Sequence, residues 1–518
     1  MGAGAVANSG TTAAYSHLVD PNRTWRNNKR LIYLNLWILL LLITSSTNGY
    51  DGSMMNGLQS LTQWAEYFGH PSGGKLGLLN AIQNIGSLAA YPFSPYLADG
   101  LGRRSAIFVG AFIMCAATVL QTASQSVGMF IGARFLIGFG LTFAAGAAPM
   151  LVTEVSYPVY RGQLTSTYNS LWYSGAIVAA WTCFGSFKIN STWAWRLPSA
   201  LQGLPSILQV ALIWFVPESP RWLIKKGRNE QALKTLAYYH ADGNEDDALV
   251  QYEFQEIKAA IELDREVEST IGWKTLFATP GNRRRMRIII ALAFFSQWSG
   301  NGLVSYYLNK VFITIGITNP TIQLLINGIL QIWNLAWALL ASAFVDKVGR
   351  RLLFLTSTAG MIIFFAMQTA CSAVYANTKN ESAAHAVIAF IFLYYAAYDI
   401  AFSPLIVSYT VEILPYNIRA KGFTVFNFAI SLSLIFNQYV NPVALDKLQW
   451  KYYLFYVAWL CFEFVFLWFF LIETKNRTLE ETAALFDGEE AAEKLAQAAH
   501  QNQYKDEKSS IQEDELKA

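Results

Sequence analysis

Four ionisable residues stand inside runs apolar enough to lie in hydrocarbon, and these are the side chains most able to do chemistry. Asp51 closes the run LIYLNLWILLLLIT in SSTNGYDGSMM, Arg134 sits in ARFLIGFG, Asp399 in YYAAYDIAFSPL and Glu463 in CFEFVFLWFF. A charge at the centre of a bilayer costs about 2.5–3.5 kcal/mol on insertion scales, so such a residue faces a bundle interior and takes a partner there. Rising about 1.5 Å per residue from residue 31, the first span brings Asp51 to the outer third of the membrane. The fourth span, descending from about residue 128, brings Arg134 to the same depth. Matching depths predict a pairing of Asp51 with Arg134. Asp399 and Glu463 fall mid-span and read as neutral or hydrogen-bonded carboxyls between helices, with a second proton site as the alternative. Cys115, Cys183, Cys371 and Cys461 lie far apart without CxxC spacing, which argues against a disulfide framework or metal site. With no histidine–metal cluster and no activated nucleophile, the pattern disfavours an intramembrane enzyme, and no cofactor is expected.

The elements that position these residues follow from composition. The chain has 518 residues, 53% hydrophobic and only 14% charged, the profile of an all-α polytopic membrane protein. Spans of roughly 20 apolar residues fall near 31–58, 76–98, 105–123, 128–152, 164–187, 197–216, 287–309, 322–345, 352–375, 385–411, 422–443 and 452–472. The net charge of +3 is too small to imply a nucleic-acid partner. Arginines and lysines before the first and seventh spans and after the second, fourth, eighth and tenth all fall on one side of a twelve-span chain. The positive-inside rule therefore places both termini in the cytoplasm. The first twenty residues lack a charged stretch followed by an apolar one, so the first span itself is expected to target the chain. Asn190 and Asn380, in Asn-x-Ser/Thr triplets, fall in loops on the opposite side and are glycosylation candidates.

The pattern also repeats. DGLGRR at 99–104 returns as DKVGRR at 346–351; Glu154 with Arg161 seven residues on returns as Glu412 with Arg419; PESPRWL at 217–223 is matched by IETKNRTLEE at 472–481. Three signatures in one order mean a six-span unit present twice, the parallel-repeat plan of a major facilitator fold. The expected organisation is a cytoplasmic tail (1–30), a six-helix bundle (31–216), a helical linker (217–286), a second six-helix bundle (287–472) and a polar tail (473–518). Apolar residues at helical spacing in NEQALKTLAYYH and DDALVQYEFQEIKAAIELDREVE predict amphipathic helices in the linker. The tail after Leu485 reads as disordered or loosely helical.

GYDG, DGLGRR, ARFLIGFG, PMLVTEVSYPVYRG, PESPRWL, SQWSGNGLVSYY, VDKVGRR and ETKNRTLEE, spread over nearly the whole chain, resemble the sugar porter family of the major facilitator superfamily. YNSLWYSGAIVAAW, SQWSGNG and IFNQY are most similar to its fungal lactose permease and cellodextrin transporter members. The resemblance implies proton coupling: the acid at the Asp51 position carries the proton and pairs with the arginine at the Arg134 position, whereas facilitative members commonly have a neutral residue there. It implies sugar contacts at Asn169, Gln297, Tyr306 and Asn334, with Asn301 and Gly302 where the family usually has Ile-Asn, and Ser296 in place of a glutamine. Sugars need amides that both donate and accept, together with aromatic walls, and these residue types suit that demand. Val407 stands where many hexose carriers have a tryptophan, which implies a larger cavity and an oligosaccharide; Trp172, Trp298, Trp333 or Trp337 could refill the space. At the inner helix ends, Arg103, Arg104, Glu154, Arg161, Glu218 and Arg221 mirror Arg350, Arg351, Glu412, Arg419, Glu473 and Arg477, a set that in the family forms a gating salt-bridge network. The expectation is a plasma-membrane proton symporter importing a disaccharide of the lactose or cellobiose type by alternating access, with protons and a small sugar as its partners. A hexose carrier or uncoupled facilitator is the same-fold alternative. A non-transporting sugar sensor is the alternative of another class, and the short tail argues against it.

Overall fold

Apolar runs set the helices, and small residues set how closely they pack. The computed structural model describes residues 18–19, 23, 25–161, 164, 168, 171–270, 272–475 and 485–486, without the side chains of 263–270, 342–347, 416, 417 and 420. Asn169, Arg477 and the tail beyond residue 486 lie outside the described residues. Among the described residues every regular element is helical.

An N-terminal set comprises α1 (Lys29–Gln59), α2 (Gly73–Ala90), α3 (Ser94–Leu101), α4 (Arg103–Thr122), α5 (Val127–Val155), α6 (Trp172–Ser186), α7 (Trp193–Leu201) and α8 (Leu204–Leu212). Three helices follow: α9 (Pro220–Lys225), α10 (Asn229–His240) and α11 (Ala248–Thr270). A C-terminal set comprises α12 (Pro280–Trp298), α13 (Asn301–Thr314), α14 (Pro320–Val348), α15 (Arg350–Thr378), α16 (Glu381–Ala401), α17 (Leu405–Ile413), α18 (Tyr416–Leu448) and α19 (Tyr452–Phe470). Nine stretches of the described residues are long and apolar enough to cross a bilayer. The last of them, 421–470, holds both α18 and α19, and α2–α3 and α6 take the places of the second and fifth expected spans. The arrangement is a major facilitator fold, consistent with twelve crossings.

Hydrocarbon gives helices little reason to associate, so membrane bundles rely on close backbone approach at small residues. The α1–α6 contact is of this kind. A Cβ on Gly49 would lie 1.8 Å from the Trp172 carbonyl oxygen, and one on Gly175 would lie 1.7 Å from that of Ser46.

The apolar core is distributed unevenly along the bundle. Toward the end where α1 finishes, Met54, Leu58, Leu76 and Phe130 of the N-terminal set join one continuous cluster with Leu308, Phe312 and most buried residues of the C-terminal set. Toward the other end, where the GRR motifs lie, Leu34, Ile38, Ile107, Leu151 and Ile213 form a separate cluster with no C-terminal member. Polar contacts follow the same division. Asn56 of α1 donates to Asn327 (3.2 Å) and accepts from the Leu308 N–H (3.1 Å), Gln59 donates to the Tyr306 carbonyl (2.8 Å), and Asn84 of α2 donates to Gln438 of α18 (2.6 Å). Lys310 pairs with Asp446, which also accepts from the Gly73 N–H. The two sets are thus fastened together at the α1 end.

At the arginine-rich end, α9–α11 form a small core of their own around Trp222, Leu236, Val250 and Phe254. His240 docks this unit, its ring meeting Glu253 at 2.7 Å and the Val155 carbonyl at 3.3 Å. The amphipathic linker helices expected from the spacing are present.

Candidate functional site: a polar cavity between the two helix sets

A cavity of about 290 Å³ lies between α1, α2, α5 and α6 on one side and α12–α14, α16 and α18 on the other. The seventh span is broken beside it. Gly300, at φ 102°, separates α12 from α13, in a left-handed conformation that only glycine adopts without strain. A Cβ there would also lie 2.6 Å from the Phe365 ring. The break turns Asn301 inward, its amide donating to the Ser296 carbonyl (3.0 Å) and the Tyr398 hydroxyl (3.2 Å). Irregular backbone at membrane depth occurs where it lines a cavity, and broken helices mark substrate sites in transporters.

Four of the five anticipated sugar contacts, Gln297, Asn301, Tyr306 and Asn334, line this one cavity; the fifth, Asn169, lies outside the described residues. Asn334 is 3% exposed, and its buried carbonyl oxygen has no hydrogen-bond partner. It is an acceptor with nothing yet to accept. The sequence reading missed much of the wall: Asn80, Gln83 and Asn84 on α2, Gln331 on α14, Tyr395 and Tyr398 on α16, and Gln438 on α18. Their signal was available, since Asn80, Gln83 and Asn84 at i, i+3 and i+4, and Gln331 and Asn334 at i and i+3, put amides on one face of an otherwise apolar helix.

Two expectations need correction. Asp51 forms no ion pair with Arg134 within 4 Å among the described residues. Its Oδ1 instead accepts from Gln202 of the sixth span at 2.6 Å, and Gln202 in turn accepts from Gln121 at 3.0 Å. Arg134 donates to the Leu79 carbonyl (2.9 Å) and to Gln83 (2.7 Å). One oxygen of Asp51 and one terminal nitrogen of Arg134 are buried without partners, and the two charges are near enough to act on each other. A buried amide within reach satisfies a carboxylate oxygen without a bridging cation, which depth matching along two helices could not reveal. Arg134 lines the cavity, whereas Asp51, fully buried, sits behind its wall. Val407, the second correction, is 38% exposed and forms no part of this cavity, so its small size does not enlarge it. Of the four tryptophans considered, Trp172 alone lines the cavity. Trp298 packs on Phe436 and Trp459, and Trp333 donates to the Phe392 carbonyl.

The repeated motifs at the arginine-rich end fold into twin structures. Gly102 and Gly349 both take φ 105°, and a Cβ on either would lie within 3 Å of a carboxylate oxygen, of Glu218 and Glu473 respectively. Glu218 accepts the Arg103 and Arg104 N–H groups at 3.2 and 3.3 Å; Glu473 accepts those of Arg350 and Arg351 at 2.9 and 3.0 Å. Each glutamate therefore caps the positive end of a helix. Burial pushes the Glu218 carboxyl above the ordinary carboxylate range, opposed by the Ser219 N–H and the Arg104 charge. Arg103 pairs with Glu154 (3.3 Å) and Arg350 with Glu412 (3.1 Å), each within one set. Arg161 meets Glu253 of α11 at 3.2 Å, and Arg419 donates to the Leu414 carbonyl.

The cavity wall supplies amides, hydroxyls and rings suited to holding a polyhydroxyl solute. Among the described residues there is no group of three or more His, Cys, Asp and Glu placed to hold a metal ion.

Comparison with known proteins agrees with this plan. The chain is 30% identical over 463 residues to the MFS-type transporter oryC of Aspergillus oryzae, covering 87% of this chain and 85% of that one. It is 26% identical over 473 residues to a high-affinity glucose transporter of Kluyveromyces lactis, covering 86% and 84%. The inward-open structure of the xylose transporter XylE from E. coli superposes with a TM-score of 0.73 at 24% identity, over 88% of this chain and all of that one. Residues 37–486 match the family model described as "Sugar (and other) transporter", and the chain belongs to that family, the sugar porters of the major facilitator superfamily.

Proposed function

We propose that this transporter imports a sugar together with a proton by alternating access. It would do so from the plasma membrane, with the arginine-rich end and both termini in the cytoplasm. The observation that carries the reading is the shared cavity: amides and tyrosines from both helix sets surround one polar space, with Arg134 in its wall and the Asp51–Gln202 pair behind it. In this reading residues 31–216 and 287–472 rock as two bundles over the linker helices. The GRR–glutamate pairs are the cytoplasmic gate, and Asn190 and Asn380, both exposed, face the glycosylating compartment.

Proton coupling rests on Asp51, a buried acid held by Gln202 and within electrostatic reach of Arg134. A proton on the unpartnered Oδ2 of Asp51 would weaken the hydrogen bond from Gln202 and alter the field at Arg134, and so bias the two arrangements of the bundle. The sequence strings support a disaccharide of the lactose or cellobiose type. The cavity volume, at the lower edge of the range for small-molecule sites, supports a single ring in the form seen here, as does the name of the glucose-transporting relative. Uptake of xylose, glucose, lactose and cellobiose into cells lacking their own carriers, with external pH recorded, separates these readings. Uptake with alkalinisation is expected for at least one sugar; uptake without it would leave a facilitator, and no uptake of any would remove the transport reading.

A further inference from the structure

Asp399 is fully buried at the seam between the two helix sets. Its Oδ1 accepts a hydrogen bond from the Tyr173 hydroxyl at 2.8 Å and another from Ser403, and these two hydroxyls are 3.0 Å apart. Tyr173 belongs to α6 of the N-terminal set and Asp399 to α16 of the C-terminal set, so one carboxylate oxygen ties the sets together. Tyr173, Ser403 and Tyr398 all line the cavity, which puts Asp399 one side chain from its contents. Its Oδ2 is buried and has no partner. The titratable groups facing it are Tyr173 from α6 and Tyr395 and Tyr398 from α16 itself. Beyond these lie Tyr306 of α13, which acts on Tyr395 and Tyr398, and Glu463 of α19, which acts on Tyr398. Among the described residues no lysine, arginine or histidine lies within ion-pair distance of Asp399. Asp51 differs on this point, because Arg134 is near it and its hydrogen bond stays within the N-terminal set.

We propose that Asp399 is a second proton-binding site of the transport cycle, loaded as the two helix sets close around it and read by Tyr173 across the seam. This rests on the transport reading above. An unpaired carboxylate sealed between helices carries the desolvation cost of a lone ion, and one proton on Oδ2 removes that cost while Oδ1 keeps both hydrogen bonds. When the sets part and Tyr173 withdraws, water reaches the carboxyl; hydronium on one side delivers the proton, leaving water and the neutral acid, and water on the other side takes it back. Closing the seam therefore favours the protonated acid and opening it allows the proton to exchange, with no oxidation or bond exchange beyond the O–H.

The test uses purified protein in proteoliposomes. Exchange of whichever of xylose, glucose, lactose and cellobiose the wild type carries is measured at equal sugar and equal pH on both sides, over a range of pH. Asp399→Asn, which keeps the acceptor oxygen but cannot titrate, is expected to exchange sugar at a rate that has lost one limb of the wild-type pH profile. Tyr173→Phe should move that limb without removing it, and Asp51→Asn should leave it in place. Infrared difference spectra against pH should contain a protonated-carboxyl band that vanishes in Asp399→Asn, a readout independent of transport. An unchanged pH profile in Asp399→Asn, a raised KM with the profile intact, or no band assignable to Asp399 would each overturn the proposal while leaving sugar transport standing. Absence of exchange of all four sugars by the wild type would instead overturn the transport reading.

Discussion

At the scale of single residues, the position of Asp51 matters more than its presence. It is held by Gln202 rather than by Arg134, through one oxygen only, and its other oxygen is buried without a partner and open to a proton. Asp51→Asn is expected to abolish accumulation of sugar against a gradient while preserving exchange at equal concentrations; accumulation equal to wild type would mean that Asp51 only orients helices. Asn334 offers an unpaired acceptor to the cavity. Losing one hydrogen bond of about 0.5–1.5 kcal/mol in Asn334→Ala should raise the KM for sugar roughly two- to tenfold with little change in folding. Val407→Trp serves as the contrast: lying outside the cavity, it should leave KM for every sugar tested unchanged.

At the scale of elements, glycine contacts decide which helices can be neighbours. Where a Cβ on Gly175 would lie 1.7 Å from the Ser46 carbonyl, no rotamer relieves the clash, and α1 and α6 must separate. Overpacking usually costs about 1–3 kcal/mol. Gly175→Leu is therefore expected to lower the midpoint of thermal unfolding in detergent and the yield of monodisperse protein, both measurable by fluorescence-detected gel filtration. The broken seventh span is a second element-level device. Its break at Gly300 presents Asn301 to the cavity, while α13 beyond it presses on α1 and closes one end of the bundle.

At the scale of the whole molecule, the two helix sets share a core and polar contacts at the α1 end, and at the arginine-rich end the N-terminal set keeps a core to itself. That asymmetry describes one side shut and the other able to part. The proposed alternating access requires the shut side to open, so joining α2 to α18 should stop it. Cysteines placed at Asn84 and Gln438, whose side chains are 2.6 Å apart, and joined by a short bifunctional thiol reagent, are expected to abolish uptake until the link is reduced. At the opposite end, single ion pairs at partly exposed positions are worth only about 0–1 kcal/mol, so Glu154→Gln or Glu412→Gln should leave folding intact. Their expected effect is a lower maximal uptake rate, because in the proposed gate the glutamate–arginine pairs order helix ends that move; wild-type rates in both variants would remove the gating role.

Much of this protein was legible in its sequence. The helical spans, the twin GRR–glutamate motifs and the amide-bearing helix faces depend on composition and on spacings of a few residues, and so they survive without coordinates. Four of the five anticipated cavity residues lie together: the family resemblance pointed to their positions, and the three amides among them, Gln297, Asn301 and Asn334, have to face something polar inside apolar spans. What only the tertiary structure decided was the identity of partners. Gln202 meets Asp51 from 151 positions away, and Tyr173 meets Asp399 from 226. Depth along a helix limits which residues can meet, but the rotation of each helix about its axis and the choice of neighbour are set by side-chain and backbone packing among all of them at once. Val407 illustrates the limit: its type and its place in the tenth span were read correctly, and only the turn of α17 in the bundle determines that it lies outside the cavity.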